Sequence, residues 1–355
     1  MREDRIAILS DIHANSDALR AVLRDIYPSD QSPRAGHLWF LGDLLGYGPD
    51  PVGVIHLVSG QEDGWPAFDR LLGGNHDAYF GPWSEITRMK SFYNEQARFS
   101  LLVHEAMLHE TLGRFSVAGR ELTVEQWARQ SFGPASYELL DETLGQVRAL
   151  ARHSMLETEL AQAFRYVFPW CLSRLQELFA SLVAYHDADQ PHLCYFFGHT
   201  HVPLFCSQEG MDLVFHDLRF NDPQPLPRGT CLINPGSVGQ PRGGNDHYEA
   251  IPSYVILDPG AATIEFRRVD RRPPVTGLYE LGDAANRFPF LADPLGVEQA
   301  AWPEHCHKMV QWLIAIFGGL HPLPDWSLMP KIYRRRDWGW EGQRVCLDDE
   351  VEIVC

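Results

Sequence analysis

The sequence has few positive charges for its length. It contains 30 Lys and Arg residues against 47 Asp and Glu residues, and its formal net charge is −17. Such an acidic chain repels the phosphate backbone of nucleic acids and anionic membrane surfaces. It also lacks a basic stretch interleaved with aromatic residues, the pattern typical of a nucleic-acid groove. We therefore expect no nucleic-acid partner, and a nuclease is a minor alternative.

Cysteines are also few, and so are long apolar runs. The seven Cys are an odd number without CxxC spacing, which is not the pattern of a disulfide framework or of a thiolate zinc site. The longest apolar stretch, Met309 to Leu320, is too short to span a bilayer. No signal peptide precedes the first predicted strand. These absences predict a cytoplasmic protein that does not bind membranes.

Four short apolar runs are each followed by polar residues of the kind that bind metals. The runs cover residues 5–9, 38–41, 71–72 and 193–197, and each has the pattern of a buried strand followed by a turn. A helical stretch, Ser16 to Ile26, lies between the first two runs. The order strand, helix, strand predicts an α/β architecture.

The polar residues at these strand ends are carboxylates, imidazoles and an amide. In open α/β sheets, sites form beyond the carboxyl ends of strands, so these distant loops are expected to meet at one edge. Oxygen and imidazole donors together suit Mn²⁺, Fe or Zn²⁺ better than a metal that prefers thiolates. One such cluster would be weak support for a metal site, but four in this order rarely arise by chance. The candidate ligands are Asp11, His13, Asp43, Asn75, His199 and His201.

Four motifs together resemble the signature of the calcineurin-like metallophosphoesterases. They are Asp11-Ile12-His13, Gly42-Asp43, Gly74-Asn75-His76-Asp77 and Gly198-His199-Thr200-His201. Residues 233–242 (INPGSVGQPR) and 46–51 (GYGPDP) resemble the small bacterial phosphodiesterase branch of that family, and the resemblance covers roughly residues 5–270. It implies an α/β fold in which two sheets form a sandwich flanked by helices on both outer faces.

The resemblance also implies a dinuclear centre that holds two divalent ions, with Mn, Fe, Zn and Ni as candidates. Asp43 would bridge both ions. The first ion's shell would be completed by Asp11, His13 and His201, and the second ion's shell by Asn75, His199 and one further His.

The implied reaction is hydrolysis of a phosphate ester. A hydroxide bridging the ions would attack phosphorus, His76 would protonate the leaving alkoxide, and Asp77 would hold the imidazole of His76. Resemblance to the phosphodiesterase branch favours a phosphodiester over a monoester. Two alternatives stay open: a protein phosphatase of the same chemistry, and a non-catalytic scaffold that binds partners. A scaffold would be expected to lose a ligand or the acid, and here Asp43 and His76 are both present.

The further His must come from the divergent middle of the chain. Five residues are candidates: His104, His109, His153, His186 and His192. Residues 147–154 (VRALARHS), followed by 165–169 (RYVFP), resemble the family's sequence around this ligand, so we choose His153. His186 and His192 lie shortly before the last motif, where the family has a helix and a loop. They remain alternatives because no Gly follows His153 as it does in the family.

Two residues after the last predicted ligands are candidates for substrate binding. Asn234 lies in an Asn-Pro-Gly-Ser sequence, which is equally typical of a tight turn. The resemblance places this loop beside the metals. Arg242 would pair with the substrate phosphate, because a guanidinium matches phosphate oxygens, although a solvated loop Arg has the same sequence pattern.

The chain is expected to divide into two parts. Residues 1–272 would form the metallophosphoesterase domain, with a helical insertion at about residues 85–190 that caps the metal edge and narrows access to it. The long gap between Asn75 and His199 motivates that expectation, and residues 85–110 and 136–186 have helical periodicity. Residues 273–355 form a C-terminal extension rich in Trp and Pro, which could contact a protein partner or a second copy of the chain.

Overall fold

The structure is a computed structural model that describes part of the chain. It describes residues 4–46, 50–62, 64–78, 114–156, 167, 172–187, 189–210, 212–239, 241 and 252–269, and the backbone of residues 343–345. Three of the predicted site candidates, His104, His109 and Arg242, lie outside these residues. Most of the predicted C-terminal extension also lies outside them, so its role as a contact for partners stays a prediction.

The described residues form fifteen strands, five α-helices and two 3-10 helices. The strands are β1 (Ile6–Leu9), β2 (His37–Phe40), β3 (Arg70–Leu71), β4 (Phe115–Val117), β5 (Arg120–Leu122), β6 (Leu140–Leu144), β7 (Val147–Ala151), β8 (His192–Phe196), β9 (Leu204–Glu209), β10 (Asp212–Phe215), β11 (Gln224–Pro225), β12 (Gly229–Asn234), β13 (Ser253–Asp258), β14 (Thr263–Arg268) and β15 (Gln343–Val345). The helices are α1 (Ser16–Ile26), α2 (Pro51–Val58), α3 (Asn75–Ala78), α4 (Val124–Ser131) and α5 (Leu172–Leu182), with 3-10 helices at Pro134–Tyr137 and Val183–Tyr185.

The strands form two large sheets and one separate hairpin. The six-stranded sheet has the order β11-β14-β13-β1-β2-β3, and the seven-stranded sheet has the order β15-β10-β9-β12-β8-β7-β6. Strands β1, β2 and β3 are parallel to one another, and so are β7, β8 and β12. Each sheet therefore brings three carboxyl ends to one edge, which is where ligands bind in such sheets.

The two sheets pack face to face, and helices cover their outer faces. Along β1, Ile6 and Ile8 pack against residues of the seven-stranded sheet such as Tyr195, whereas Ala7 and Leu9 pack with helices α1 and α2. This alternation follows from the two-residue period of a strand. Leu178 of α5 belongs to the cluster of the seven-stranded sheet. The predicted α/β sandwich flanked by helices is confirmed.

Helix α1 begins directly after the first predicted ligand motif. The side chain of Asn15 accepts a hydrogen bond from the backbone N–H of Ala18 at 3.1 Å and donates one to the carbonyl oxygen of Gly239 at 3.0 Å. An N-cap of this kind satisfies a backbone donor that the helix itself leaves open. The cap therefore ties the start of α1 to the loop that follows β12.

The expectation of helix over residues 136–186 is wrong for part of that stretch. Strands β6 and β7 occupy Leu140–Leu144 and Val147–Ala151 and pair with each other and with β8. Because β7 lies between two strands and is largely buried, its sequence VRALA lacks the alternation that identifies a half-exposed strand. Helix α5 does lie in the second half of the stretch. The proposed domain boundaries stay a prediction.

The described helices contain no segment that is both long enough and apolar enough to cross a lipid bilayer.

Candidate metal centre

The seven candidate ligands follow the carboxyl ends of parallel strands in both sheets. Those after β1, β2 and β3 come from the six-stranded sheet, and those after β7 and β8 come from the seven-stranded sheet. All seven side chains are buried. They are Asp11, His13, Asp43, Asn75, His153, His199 and His201.

Four of these residues form a first group that could hold a metal ion. The group consists of Asp11, His13, Asp43 and His201, and one ligand atom from each lies within 4.8 Å of the others. Nε2 of His201 lies 3.1 Å from Oδ1 of Asp11 and 3.1 Å from Nε2 of His13. Two carboxylates and two imidazoles are thus gathered around one point between the sheets.

A second group shares one residue with the first. It consists of Asp43, His153 and His199, with one ligand atom of each again within 4.8 Å of the others. Oδ2 of Asp43 lies 3.2 Å from Nε2 of His153 and 3.8 Å from Nε2 of His13. A single carboxylate oxygen therefore faces both groups.

The structure brings His153 into this cluster and neither of the two described alternatives. His186 is exposed and follows the 3-10 helix Val183–Tyr185. His192 is the first residue of β8, at the opposite end of the strand from His199, and its Nδ1 lies 2.7 Å from the carbonyl oxygen of Pro227.

The hydrogen bonds of the imidazoles show that a cation fits this site. Nδ1 of His153 lies 3.1 Å from the carbonyl oxygen of Leu41, and Nδ1 of His13 lies 3.2 Å from that of Leu45. Because a carbonyl oxygen only accepts, each Nδ1 carries the proton, and Nε2 of the neutral ring presents a lone pair to the cluster. Burial lowers the pKa of His153, but the Asp43 carboxylate raises it more, to about 9. The Asp43 carboxylate therefore favours positive charge at His153, as a proton on the imidazole or as a metal ion beside it.

Asn75 supplies a further oxygen to this edge. It is the first residue of α3, and its Oδ1 is buried without a hydrogen-bond partner among the residues that the structure describes. A buried polar atom left without a partner is destabilising by about 1–3 kcal/mol. Metal coordination would satisfy this atom, so Asn75 has the chemistry of a ligand.

The backbone of the site is strained. Five candidate ligands have positive φ angles: Asp11 (54°), His13 (48°), Asp43 (61°), His199 (66°) and His201 (60°). Non-glycine residues rarely adopt this left-handed region, and they stay there only where surrounding contacts hold them. Here the N–H groups of Asp11 and His13 donate to the carbonyl oxygens of Gly42 and Asp43, each at 3.0 Å. The loops after β1 and β2 therefore hold each other in place.

The loops approach so closely that some positions admit only glycine. A Cβ on Gly198 would lie 1.9 Å from Oγ of Ser10 and 2.7 Å from Oδ2 of Asp11. A Cβ on Gly74 would lie 2.1 Å from Oδ1 of Asp43. These distances are far below van der Waals contact, so the glycines of the motifs allow the ligand-bearing loops to meet.

Comparison with known proteins identifies the family. The sequence profile of the calcineurin-like phosphoesterases matches residues 4–203, a stretch that contains all seven candidate ligands. This chain belongs to the calcineurin-like phosphoesterase family. The chain is also 26% identical over 271 residues to the uncharacterized protein MJ0912 of Methanocaldococcus jannaschii, which covers 76% of this chain and 89% of that protein.

Solved structures show the same phosphoesterase fold. A metallophosphoesterase from Sphaerobacter thermophilus is 25% identical, with a TM-score of 0.50, and the match covers 85% of this chain and 98% of that one. The hypothetical protein PH1004 from Pyrococcus horikoshii OT3 is 14% identical, with a TM-score of 0.51, and the match covers 80% of this chain and 92% of that one. The second likeness is evidence for the fold alone.

In this member of the family, His76 lies beside the first group. Its ring meets the ring of His13 edge-on, with centroids 4.9 Å apart, and its backbone N–H donates to Oδ1 of Asp43 at 2.8 Å. Burial lowers the pKa of His76 to about 4, against the opposing effect of the Asp43 carboxylate. Burial therefore favours the neutral form of this imidazole.

The carboxylate of Asp77 accepts backbone hydrogen bonds from two loops of the site. It accepts backbone N–H groups of Asp43 at 2.8 Å, Leu44 at 3.0 Å, Leu45 at 3.1 Å and Gly74 at 3.0 Å. The expected role was to hold the imidazole of His76. These hydrogen bonds fasten the loop after β2 to the loop after β3. The expected role of Asp77 toward His76 stays a prediction.

Asn234 also lies at the site but orients a loop. It is fully buried, and its Nδ2 donates to the carbonyl oxygen of Gly198 at 2.9 Å and to Oγ1 of Thr200 at 2.8 Å. Its Oδ1 accepts the N–H of Gly236 at 2.9 Å. These contacts fit the turn interpretation, and substrate binding by Asn234 stays a prediction.

Several positioning groups were not found by sequence reasoning. Oγ of Ser10 donates to Oδ2 of Asp11 at 2.5 Å, and Oγ of Ser237 donates to the carbonyl oxygen of Asp11 at 2.7 Å. Each serine lies within a quoted motif or next to one, which is the only sequence signal for it. The carbonyl oxygens of Leu41 and Leu45 have no sequence signal, because every residue carries one.

Proposed function

We propose that this chain hydrolyses phosphate esters with a pair of divalent ions, and that it favours phosphodiesters over monoesters. The observation that carries the proposal is the position of Asp43, whose Oδ2 lies 3.2 Å from Nε2 of His153 and 3.8 Å from Nε2 of His13. One oxygen placed between two ligand groups has the arrangement expected of a carboxylate that bridges two cations.

The two groups assign residues to each ion. The first would be held by Asp11, His13, Asp43 and His201, and the second by Asp43, Asn75, His153 and His199. Mn, Fe, Zn and Ni suit this set of oxygen and imidazole donors, which contains no thiolate. When bound, such ions supply positive charge that neutralises phosphate oxygens and lowers the pKa of a bound water.

His76 is the proposed proton donor to the leaving oxygen. It is 8% exposed and lies against His13, so its ring stands at the border of the first group. An anionic phosphate ester bound beside the ring favours the protonated imidazole, which then passes its proton to the departing alkoxide. The preference for diesters rests on the resemblance of residues 46–51 and 233–242 to the phosphodiesterase branch.

The first test combines metal analysis with two model substrates. Purified protein is supplied with Mn²⁺ and assayed on bis-p-nitrophenyl phosphate and on p-nitrophenyl phosphate. We expect turnover of both, with a higher kcat/KM for the diester. Asp43→Asn should lower both the bound metal and the rate, the rate by at least about 100-fold, whereas the exposed control Asp17→Asn should change neither. Wild-type protein that binds metal but turns over neither ester would be a scaffold.

A second test isolates the proton donor. His76→Ala should keep the metal content and lose rate, and the loss should be greater for a phenyl ester than for a p-nitrophenyl ester. The reason is that a poor leaving group depends more on protonation. His37→Ala, at a half-exposed imidazole far from the cluster, is the matched control. An equal loss on both leaving groups would remove His76 from this role.

A further inference from the structure

Residues 73–76, which carry Asn75 and His76, follow a very short strand of their sheet. Strand β3 contains only Arg70–Leu71 and lies at the edge of the six-stranded sheet, where β2 is its one partner among the described strands. Helix α3 is a single turn of four residues. Such short elements cannot by themselves hold a side chain in place, because few hydrogen bonds fix their backbone.

A separate part of the chain packs against this loop. Residues 115–137, here called the buttress, comprise the β4–β5 hairpin, helix α4 and the 3-10 helix Pro134–Tyr137. The carbonyl oxygen of Ser136 accepts the N–H of Gly73 at 2.9 Å. A Cβ on Gly73 would lie 2.5 Å from Cε1 and from Cζ of Tyr137, so the aromatic ring lies directly on the glycine backbone.

The buttress is itself anchored to the body of the six-stranded sheet. Phe115 and Trp127 are buried in the same apolar cluster as Val54 of helix α2. Nε2 of His56, also on α2, lies 3.0 Å from the carbonyl oxygen of Ser116. Tyr137 therefore belongs to a segment that is itself fixed against helix α2, so its ring can hold residues 73–76 in a defined position.

Residues 73–76 meet the metal cluster on their other side. A Cβ on Gly74 would lie 2.1 Å from Oδ1 of Asp43, and the N–H of His76 donates to that same oxygen at 2.8 Å. Tyr137 is 5% exposed, and burial together with the carboxylates of Asp77 and Asp43 raises its pKa, so its phenol stays protonated beside them. The loop is held between an aromatic ring and a carboxylate.

We infer that Tyr137 is a positioning residue that holds Asn75 and His76 at the metal cluster through its ring contact with Gly73. The buttress supports the site from beside β3, and this role differs from that of a cap that narrows access. The effect on catalysis rests on the proposed function, whereas the effect on metal affinity requires only that the cluster bind a metal ion.

The test compares variants that keep or remove the ring. Tyr137→Phe retains the contact with Gly73, and we expect metal affinity and rate within about threefold of wild type. Tyr137→Ala removes the contact, and we expect affinity for the Mn²⁺ ion that Asn75 would help to hold to fall about 10- to 100-fold, as when a group supporting a ligand is lost. Its kcat should fall more than its KM changes, and most for the poor leaving group. Tyr254→Phe is the control, since that buried Tyr contacts Asp25 on helix α1.

A second pair of variants keeps the inference testable if Tyr137→Ala does not fold. Gly73→Ala inserts a methyl group 2.5 Å from the ring and should reproduce the loss of Mn²⁺ affinity. The double variant Gly73→Ala/Tyr137→Leu makes room for that methyl group and should recover part of the lost Mn²⁺ affinity. A folded Tyr137→Ala protein with wild-type Mn²⁺ affinity and wild-type leaving-group dependence overturns the inference. If wild type binds Mn²⁺ but hydrolyses no ester, the proposed function fails and the affinity measurements still decide the role of Tyr137.

Discussion

Nδ1 of His153 lies 3.1 Å from the carbonyl oxygen of Leu41, a residue 112 positions earlier in the chain. His153 follows β7 of the seven-stranded sheet, and Leu41 follows β2 of the six-stranded sheet. The hydrogen bond therefore links the two sheets at the edge where the candidate ligands meet. The same hydrogen bond places the proton of the neutral ring on Nδ1 and orients the ring so that Nε2 faces Asp43.

Removing that imidazole should reduce the metal content without unfolding the protein. We expect His153→Ala to bind about one ion per chain where wild type binds about two, because one of the two ligand groups loses a donor. Hydrolysis of both model esters should fall with it. The exposed His186→Ala is the matched control. The measurement is metal content per chain after gel filtration. If His186→Ala loses metal and His153→Ala does not, His186 and not His153 is the ligand.

Asn234→Ala should lower stability and kcat more than it raises KM. The variant removes one hydrogen bond to the carbonyl oxygen of Gly198 and one to Oγ1 of Thr200, and each lost hydrogen bond is destabilising by about 0.5–1.5 kcal/mol. The carbonyl oxygen of Gly198 still accepts the N–H of Thr200 at 2.7 Å. Thr200→Val removes one of the same contacts, so the two substitutions should be less than additive in denaturant unfolding. A pure increase in KM with unchanged stability would instead indicate contact with the substrate.

Gly198→Ala should disrupt the centre, because the new methyl group would lie 1.9 Å from Oγ of Ser10. We expect a loss of about 1–3 kcal/mol in the free energy of unfolding, together with weaker metal binding. The control is Gly133→Ala, where a Cβ would meet no atom within 4 Å. If both variants unfold at the same denaturant concentration, the close approach of the loops is not as described.

Asp25 should make stability depend on pH. Nε and Nη2 of Arg267 donate to its carboxylate at 2.7 and 3.0 Å, and the hydroxyl of Tyr254 donates to it at 2.8 Å. Burial raises the pKa of Asp25, but these hydrogen bonds lower the pKa by more than burial raises it. The pKa of Asp25 in the folded protein therefore lies below its ordinary value of 3.8. A lowered pKa contributes stability that is present above pH 3.8 and is lost as the pH falls through the folded-state pKa.

The corresponding measurement is urea unfolding of wild type and Asp25→Asn between pH 7 and acid. At pH 7 we expect the variant to be less stable by about 2 kcal/mol, the size of a charge-assisted hydrogen bond that is half buried. The difference should shrink as the pH falls below 3.8. Asp17→Asn, at a side chain that is 65% exposed, should show no such trend. A difference that is constant across the pH range would contradict this account.

The sequence alone determined the fold class and most of the candidate ligands. Asp11, Asp43 and His199 each follow a short apolar run, and that pattern is local, so it can be seen without knowing which strands pair. His153 was chosen through resemblance, since nothing local distinguishes it from His186 or His192. Only the structure shows that His153 lies in one cluster with Asp43 and His199.

Only the tertiary structure decided the state of β7 and the contacts that support the candidate metal centre. The run VRALA of β7 has the same composition whether it is a buried strand or a helix, and only its pairing with β6 and β8 settles its state. The supporting contacts of Asn234 and Tyr137 join residues far apart in the chain. The carbonyl oxygens that orient His13 and His153 are chemically alike in every residue. Such contacts depend on how two sheets and a buttress pack, and no short stretch of sequence encodes that packing.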